Sequence, residues 1–204
     1  MRRSFPLLVP VYIGAALVGV NRTAYPTTPV AAAADMTTVA RPSRARWERR
    51  SDRPVRVFIA SGRRIAGWQS DMVDDVWASF RRWSTQGVPV RFARVTSAAD
   101  ADVVVEWVAS LPGNCIGKTW REDVGSEIST ARITLALRDH HGRFLSREMQ
   151  RGASLHEVGH LLGLEHVGSR DSIMFPQVWV TDISIGDRTA LRDLYGARAR
   201  QAAD

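Results

Sequence analysis

Three histidines and a glutamate lie within one short stretch, His156-Glu157-Val158-Gly159-His160-Leu161-Leu162-Gly163-Leu164-Glu165-His166. On a helix, residues four apart project from the same face one turn apart, so His156 and His160 can reach a single ion. Zinc accepts imidazole nitrogen at about 2.0–2.1 Å and prefers four ligands in a tetrahedron, so two histidines leave the site incomplete. Gly163 tolerates the left-handed conformation that ends a helix and turns the chain. Three residues later, His166 can return beneath the helix as third ligand. The fourth position is then left for water, as a catalytic zinc requires. Zinc lowers the pKa of such a water to about 7 and polarises a carbonyl. Glu157, next to the first ligand, is placed to take the water's proton and pass it to a leaving amine. Two histidines at i and i+4 with an intervening glutamate also occur without metal. The added Gly163 and His166, at these offsets, favour a metal site holding one zinc ion.

This stretch resembles the metzincin zinc peptidases, whose signature is H-E-x-x-H-x-x-G-x-x-H followed by a methionine turn. Ser172-Ile173-Met174-Phe175-Pro176 looks like that turn, and the resemblance implies Met174 as a hydrophobic floor under the zinc. Within the metzincins the chain looks most like the matrixins. The further points of likeness are Asp187 to Leu194-Tyr195-Gly196, Val88-Pro89-Val90-Arg91-Phe92, and Ala101-Asp102-Val103-Val104-Val105. The likeness covers residues 55–196, strongly at 156–176 and loosely elsewhere. It implies a mixed five-stranded sheet with one antiparallel edge strand, an active-site helix and a C-terminal helix, in the α/β (α+β) class. It also implies a zinc endopeptidase whose extended peptide substrate pairs with an edge strand, here Ile116–Trp120.

The chain departs from that pattern in places. It lacks the cysteine-switch propeptide, and Cys115 reads as an ordinary strand-end residue. Calcium and structural-zinc loops are not recognisable. His140 and His141 adjoin Asp139, but adjacent histidines do not easily share one ion, so a surface turn is expected there rather than a second metal. Trp179, near Pro176, either shapes the pocket for the side chain after the scissile bond or belongs to the core. Two alternatives to a peptidase remain: a zinc-holding binding protein without turnover, and a zinc hydrolase of envelope amide bonds.

The elements that must position these groups are legible in the spacing. Val57-Phe58-Ile59 suits a buried strand. From Trp68 the apolar residues fall at 68, 72, 73, 76, 77, 80 and 83, which predicts a helix with one buried face, ended by Gly87. Val88–Phe92 alternates as a strand, and Val103-Val104-Val105 follows as another. Ile116–Trp120 and Ile128–Leu137 read as strands joined across the turn Asp123–Ser126, one of them antiparallel to the rest. A helix over Ser146–Leu162 stops at Gly163, and a last helix over Ile185–Tyr195 stops at Gly196.

Around this domain, read as 55–196, composition sets the rest. The 204 residues carry a net charge of +7 and are 45% hydrophobic, with seven tryptophans, which is a globular composition. Arg2, Arg3 and Arg22 precede any acid. From Asp35 onward there are 25 basic and 21 acidic residues, a balance of +4, and no recognised nucleic-acid module. A single cysteine excludes an internal disulfide. Residues 1–34 combine Arg2-Arg3, an apolar run over Phe5–Val20 and Ala31–Ala34, which fits a secretory signal. That run is short and proline-broken beside the ~20 residues a span needs, so an uncleaved anchor is the alternative. A membrane contact is expected only in that second case. Residues 35–54, arginine-rich over Arg41–Arg53, read as a solvated tether, and 197–204 as a tail. The expected protein is a secreted or otherwise extracytoplasmic monomer.

Overall fold

A computed structural model describes residues 45–47 and 53–201. The segments read as export signal or anchor, and most of the tether, lie outside the described residues. Among those that are described, no helix is long and apolar enough to cross a membrane.

The order of elements is β1 (Val55–Ile59), α1 (Met72–Ser84), β2 (Phe92–Arg94), β3 (Val103–Val108), β4 (Gly117–Val124), β5 (Glu127–Ala136), α2 (Arg147–Leu161) and α3 (Ile185–Gln201). The strands form one sheet in the order β2-β1-β3-β5-β4. Only β4, at one edge, runs antiparallel to its neighbour. The mixed five-stranded sheet with an antiparallel edge, a helix carrying His156 and His160, and a C-terminal helix are therefore present as expected.

Register explains why one face is dry. Val57, Val103 and Ala131 are successive partners across three strands, as are Ile59, Val105 and Ile133. All six are buried, because strand residues two apart share a face and β-branched side chains pack well on it. The opposite face carries polar pairs, including Arg56 with Asp102 and Glu106 with Arg132 and Thr134. The apolar face shares one core with α1, through Met72, Val76, Phe80 and Trp83, and with α2, through Leu155, Val158 and Leu161. Asp74 and Asp75 in the first turn of α1, with Arg81 and Arg82 in its last, suit the helix dipole. Asp75 also pairs with Arg147 and Arg151, which fixes the start of α2 against α1.

Three expectations shift. Helix α1 begins at Met72 rather than Trp68, since residues 65–68 turn instead, through Trp68 N–H to Ile65 O. Strand β2 is Phe92–Arg94, not Val88–Phe92. Val88 and Val90 are inward-facing loop residues, and pairing starts where Phe92 meets Val55. Helix α3 runs through Gly196 to Gln201. A helical glycine costs only about 1 kcal/mol, and the alanines and arginines beyond it are strong helix formers.

A further difference concerns the tether. Ala45–Trp47 is packed onto the domain. Arg46 bridges Glu127 in parallel, in register just before the point where β3 begins to pair with β5, and Trp47 is fully buried. An indole ring gains too much from leaving water to remain on a solvated arm when a core site is within reach.

Candidate active site

Helix α2 starts on Ser146, whose hydroxyl accepts the Met149 N–H at 3.2 Å and satisfies one of the helix's free donors. It is buried along its last two thirds, from Gly152 to Leu161. His156 and His160 therefore stand inside the molecule. A carbonyl fixes the orientation of each ring. His156 Nδ1 lies 2.6 Å from Ile173 O, and His160 Nδ1 lies 2.8 Å from Leu164 O. A carbonyl only accepts, so each Nδ1 carries the proton and each Nε2 presents a lone pair, the arrangement metal-binding imidazoles need.

Those lone pairs converge. His166 Nε2 is 3.2 Å from His156 Nε2 and 3.1 Å from His160 Nε2. Ligands about 2.0–2.1 Å from a tetrahedral zinc would be about 3.3 Å apart, so the donor set fits that ion. Burial holds the His156 pKa down to about 3 against the Ile173 bond, and pushes His160 and His166 down as well. All three rings are neutral at pH 7, as ligands must be. Among the described residues these histidines are the only grouping of three or more metal-type ligands.

The turn that delivers His166 is a Schellman motif. Leu164 N–H returns to Gly159 O at 3.1 Å and Gly163 N–H to His160 O at 3.0 Å, with Gly163 at φ +100°. A Cβ at 163 would lie 2.5 Å from the backbone oxygen of Ala45. Gly163→Ala is thus expected to combine left-handed strain with a backbone clash, costing about 2–5 kcal/mol. The metal-free protein should then melt about 10 °C lower, and a melting temperature unchanged to within about 2 °C would refute this account of the turn.

Glu157 is fully buried on the sheet side of α2. Thr119 Oγ1 lies 2.6 Å from Glu157 Oε2, while Oε1 has no hydrogen-bond partner. Burial raises the Glu157 carboxyl to about 8, the Thr119 hydrogen bond opposing it, and a cation on the adjacent histidines would favour the charged form. Gly117 makes the room: a Cβ there would lie 2.5 Å from Oε1. Arg121, two strand positions beyond Thr119, gives an N–H to His160 O at 2.7 Å. The motif did not point to Gly117, Thr119 or Arg121. Their signal was period two along β4, which sets 117, 119 and 121 on the face toward α2.

The methionine turn packs where expected. Met174 is buried and its Sδ presses on Gly159, between the two helical histidines, leaving no room for a side chain at 159. Met174 O also accepts the N–H of Val167, next to His166, at 3.1 Å. Asp187, at the start of α3, holds this turn through the Ser172 hydroxyl and through Ile173 N–H at 3.1 Å, and accepts Ser184 N–H at 2.8 Å. Ser184 in return accepts Asp187 N–H at 3.1 Å, a reciprocal helix cap whose Ser-x-x-Asp pattern is visible in the sequence.

The remaining candidates are not members of the histidine grouping. Trp179 is 36% exposed, with the Arg170 guanidinium 5.2 Å from its ring centre, so it is not a core residue. Asp139 is engaged by Arg143 and by His141 N–H in holding a turn, and the His140 and His141 rings are exposed. Cys115 is a free, half-buried residue just before β4.

Comparison with known proteins agrees with this geometry. Residues 147–196 match the matrixin family model. The chain is 29% identical over 139 residues to Probable matrix metalloproteinase 095L of Invertebrate iridescent virus 3, covering 59% of this chain and 36% of the viral protein. It is 26% identical over 154 residues to Matrix metalloproteinase-26 of Homo sapiens, covering 66% of this chain and 57% of the human one. The chain thus spans between about a third and somewhat over half the length of these curated relatives.

Proposed function

We propose that this chain, with its matrixin-like metzincin domain, is a zinc-dependent endopeptidase in which His156, His160 and His166 hold one zinc ion and Glu157 is the general base. One observation carries the reading. Three imidazoles, two of them with the tautomer fixed by a backbone carbonyl, converge beside a buried carboxylate whose Oε1 has no partner. When bound, zinc supplies a Lewis acid that polarises the scissile carbonyl and makes water acidic enough to deprotonate near neutral pH. The protein's own groups do the rest. Thr119 holds one oxygen of Glu157 and leaves the other to accept a proton from the attacking water. The same carboxyl then returns that proton to the leaving amine. Burial keeps bulk water from competing for it. Strand β4 pairs with β5 on one side and forms the antiparallel edge of the sheet, so a peptide is proposed to lie along its other side as an added strand.

The test uses the purified full chain, a broad peptide library and a metal assay. About one zinc per chain is expected, with cleavage that a strong chelator removes and added zinc restores. Cleavage indifferent to chelation would defeat the metal assignment. A zinc-loaded protein that cuts no peptide would instead be a binding protein, or a hydrolase of other amides.

A further inference from the structure

The Schellman turn leaves the carbonyls of Leu161, the last residue of α2, and of Leu162, which caps it, without intrahelical partners. Side chains from opposite ends of the described chain meet them. Trp47 Nε1–H donates to Leu161 O at 3.0 Å. The Tyr195 hydroxyl donates to Leu162 O at 3.1 Å and itself accepts Trp47 N–H at 3.3 Å. Both rings are buried, Trp47 completely. These contacts grip the turn between the second and third histidines. Leu164, one residue past Gly163, orients His160 through its carbonyl, and His166 follows two residues later. Any displacement of residues 161–164 therefore moves two of the three rings together.

We propose that Trp47 and Tyr195 form a clamp that positions His160 and His166 for the metal, making them positioning residues of the zinc site. The proposal rests on the three-histidine reading above. Two features separate the clamp from ordinary packing. Helix ends commonly leave such carbonyls to water, whereas here each receives a buried donor. Phenylalanine would fill much of either ring's volume without making the bond. Partners that orient metal ligands are worth about 10–100-fold in metal affinity, and the clamp acts on two ligands through one turn.

The experiment compares full-length wild type, Trp47→Phe and Tyr195→Phe. Zinc affinity is read by chelator competition, and ligand geometry by the visible spectrum of the cobalt(II)-substituted protein. Each variant is expected to bind zinc about 10–100-fold more weakly and to show a shifted or broadened cobalt spectrum. A merely structural role would lower the melting temperature of the metal-free protein while leaving zinc affinity and cobalt spectrum at wild-type values, and that result overturns the clamp. If Trp47→Phe does not fold, Tyr195→Phe, which removes one oxygen, decides by the same readouts. Wild type without zinc affinity would remove the three-histidine reading itself. Wild-type affinity in folded variants removes only the clamp.

Discussion

Replacing Glu157 by glutamine is expected to abolish peptide hydrolysis while leaving fold and zinc in place. General acid–base catalysis contributes about 10²–10⁴-fold, and here one carboxyl serves both proton transfers, so the loss in kcat/KM should reach or exceed the upper figure. The site permits an isosteric exchange. Thr119 can still donate to an amide oxygen where it now meets Oε2, and the space left by Gly117 is unchanged. Stability should not fall. Burial raises the Glu157 pKa to about 8, so without metal the native state favours the protonated form. Wild type then loses stability as pH rises from the ordinary carboxylate range through about 8, because the native chain must give up a proton that the unfolded chain has already lost. Glutamine has no such loss, and the metal-free variant should melt at or above wild type at pH 8. Near wild-type turnover in the variant would show that another group is the base. Lost zinc or a lower melting temperature would mark Glu157 as structural.

The second large effect concerns the metal itself. His166→Ala should weaken zinc binding by about 10²–10³-fold. Apparent zinc binding free energies run to about 10–16 kcal/mol in closed structural sites, so one ligand in a smaller set accounts for about 3–4 kcal/mol. His166 lies beyond the helix, on the stretch between the Gly163 turn and Val167, whose N–H is held by Met174 O. Truncating it therefore removes a donor without unpacking α2. Chelator competition measures the loss, and an affinity within tenfold of wild type would exclude His166 as a ligand.

Much of this site was legible because its chemistry is local. His156, Glu157, His160, Gly163 and His166 sit close enough in sequence for helix and turn geometry to bring them together. The sheet was legible for a similar reason, since Val103-Val104-Val105 and Ile128–Leu137 carry enough β-branched residues to mark buried strands. Pairing was harder to read. The alternation at Val88, Val90 and Phe92 reports burial, and burial also occurs in a loop that faces inward. Groups that approach α2 from elsewhere were harder still. Thr119 and Arg121 look like ordinary strand residues until β4 is laid beside the helix. Trp47 was hidden in an arginine-rich stretch, although a lone tryptophan between Arg46 and Glu48 is out of place on a solvated arm.

The contact between Trp47 and Tyr195 spans 148 residues of sequence. Closing so long a loop from a random chain costs about 4.4 kcal/mol on a logarithmic scale, far more than one hydrogen bond returns. The order of assembly follows from that imbalance. Sheet and helices must first bring the two ends close, and only then can the indole and the phenol lock onto the end of α2. A polypeptide emerging from the ribosome, or threading through a translocation channel, cannot make this contact until residue 195 has appeared. The contact at the turn between His160 and His166 is therefore expected to form after the sheet and helices.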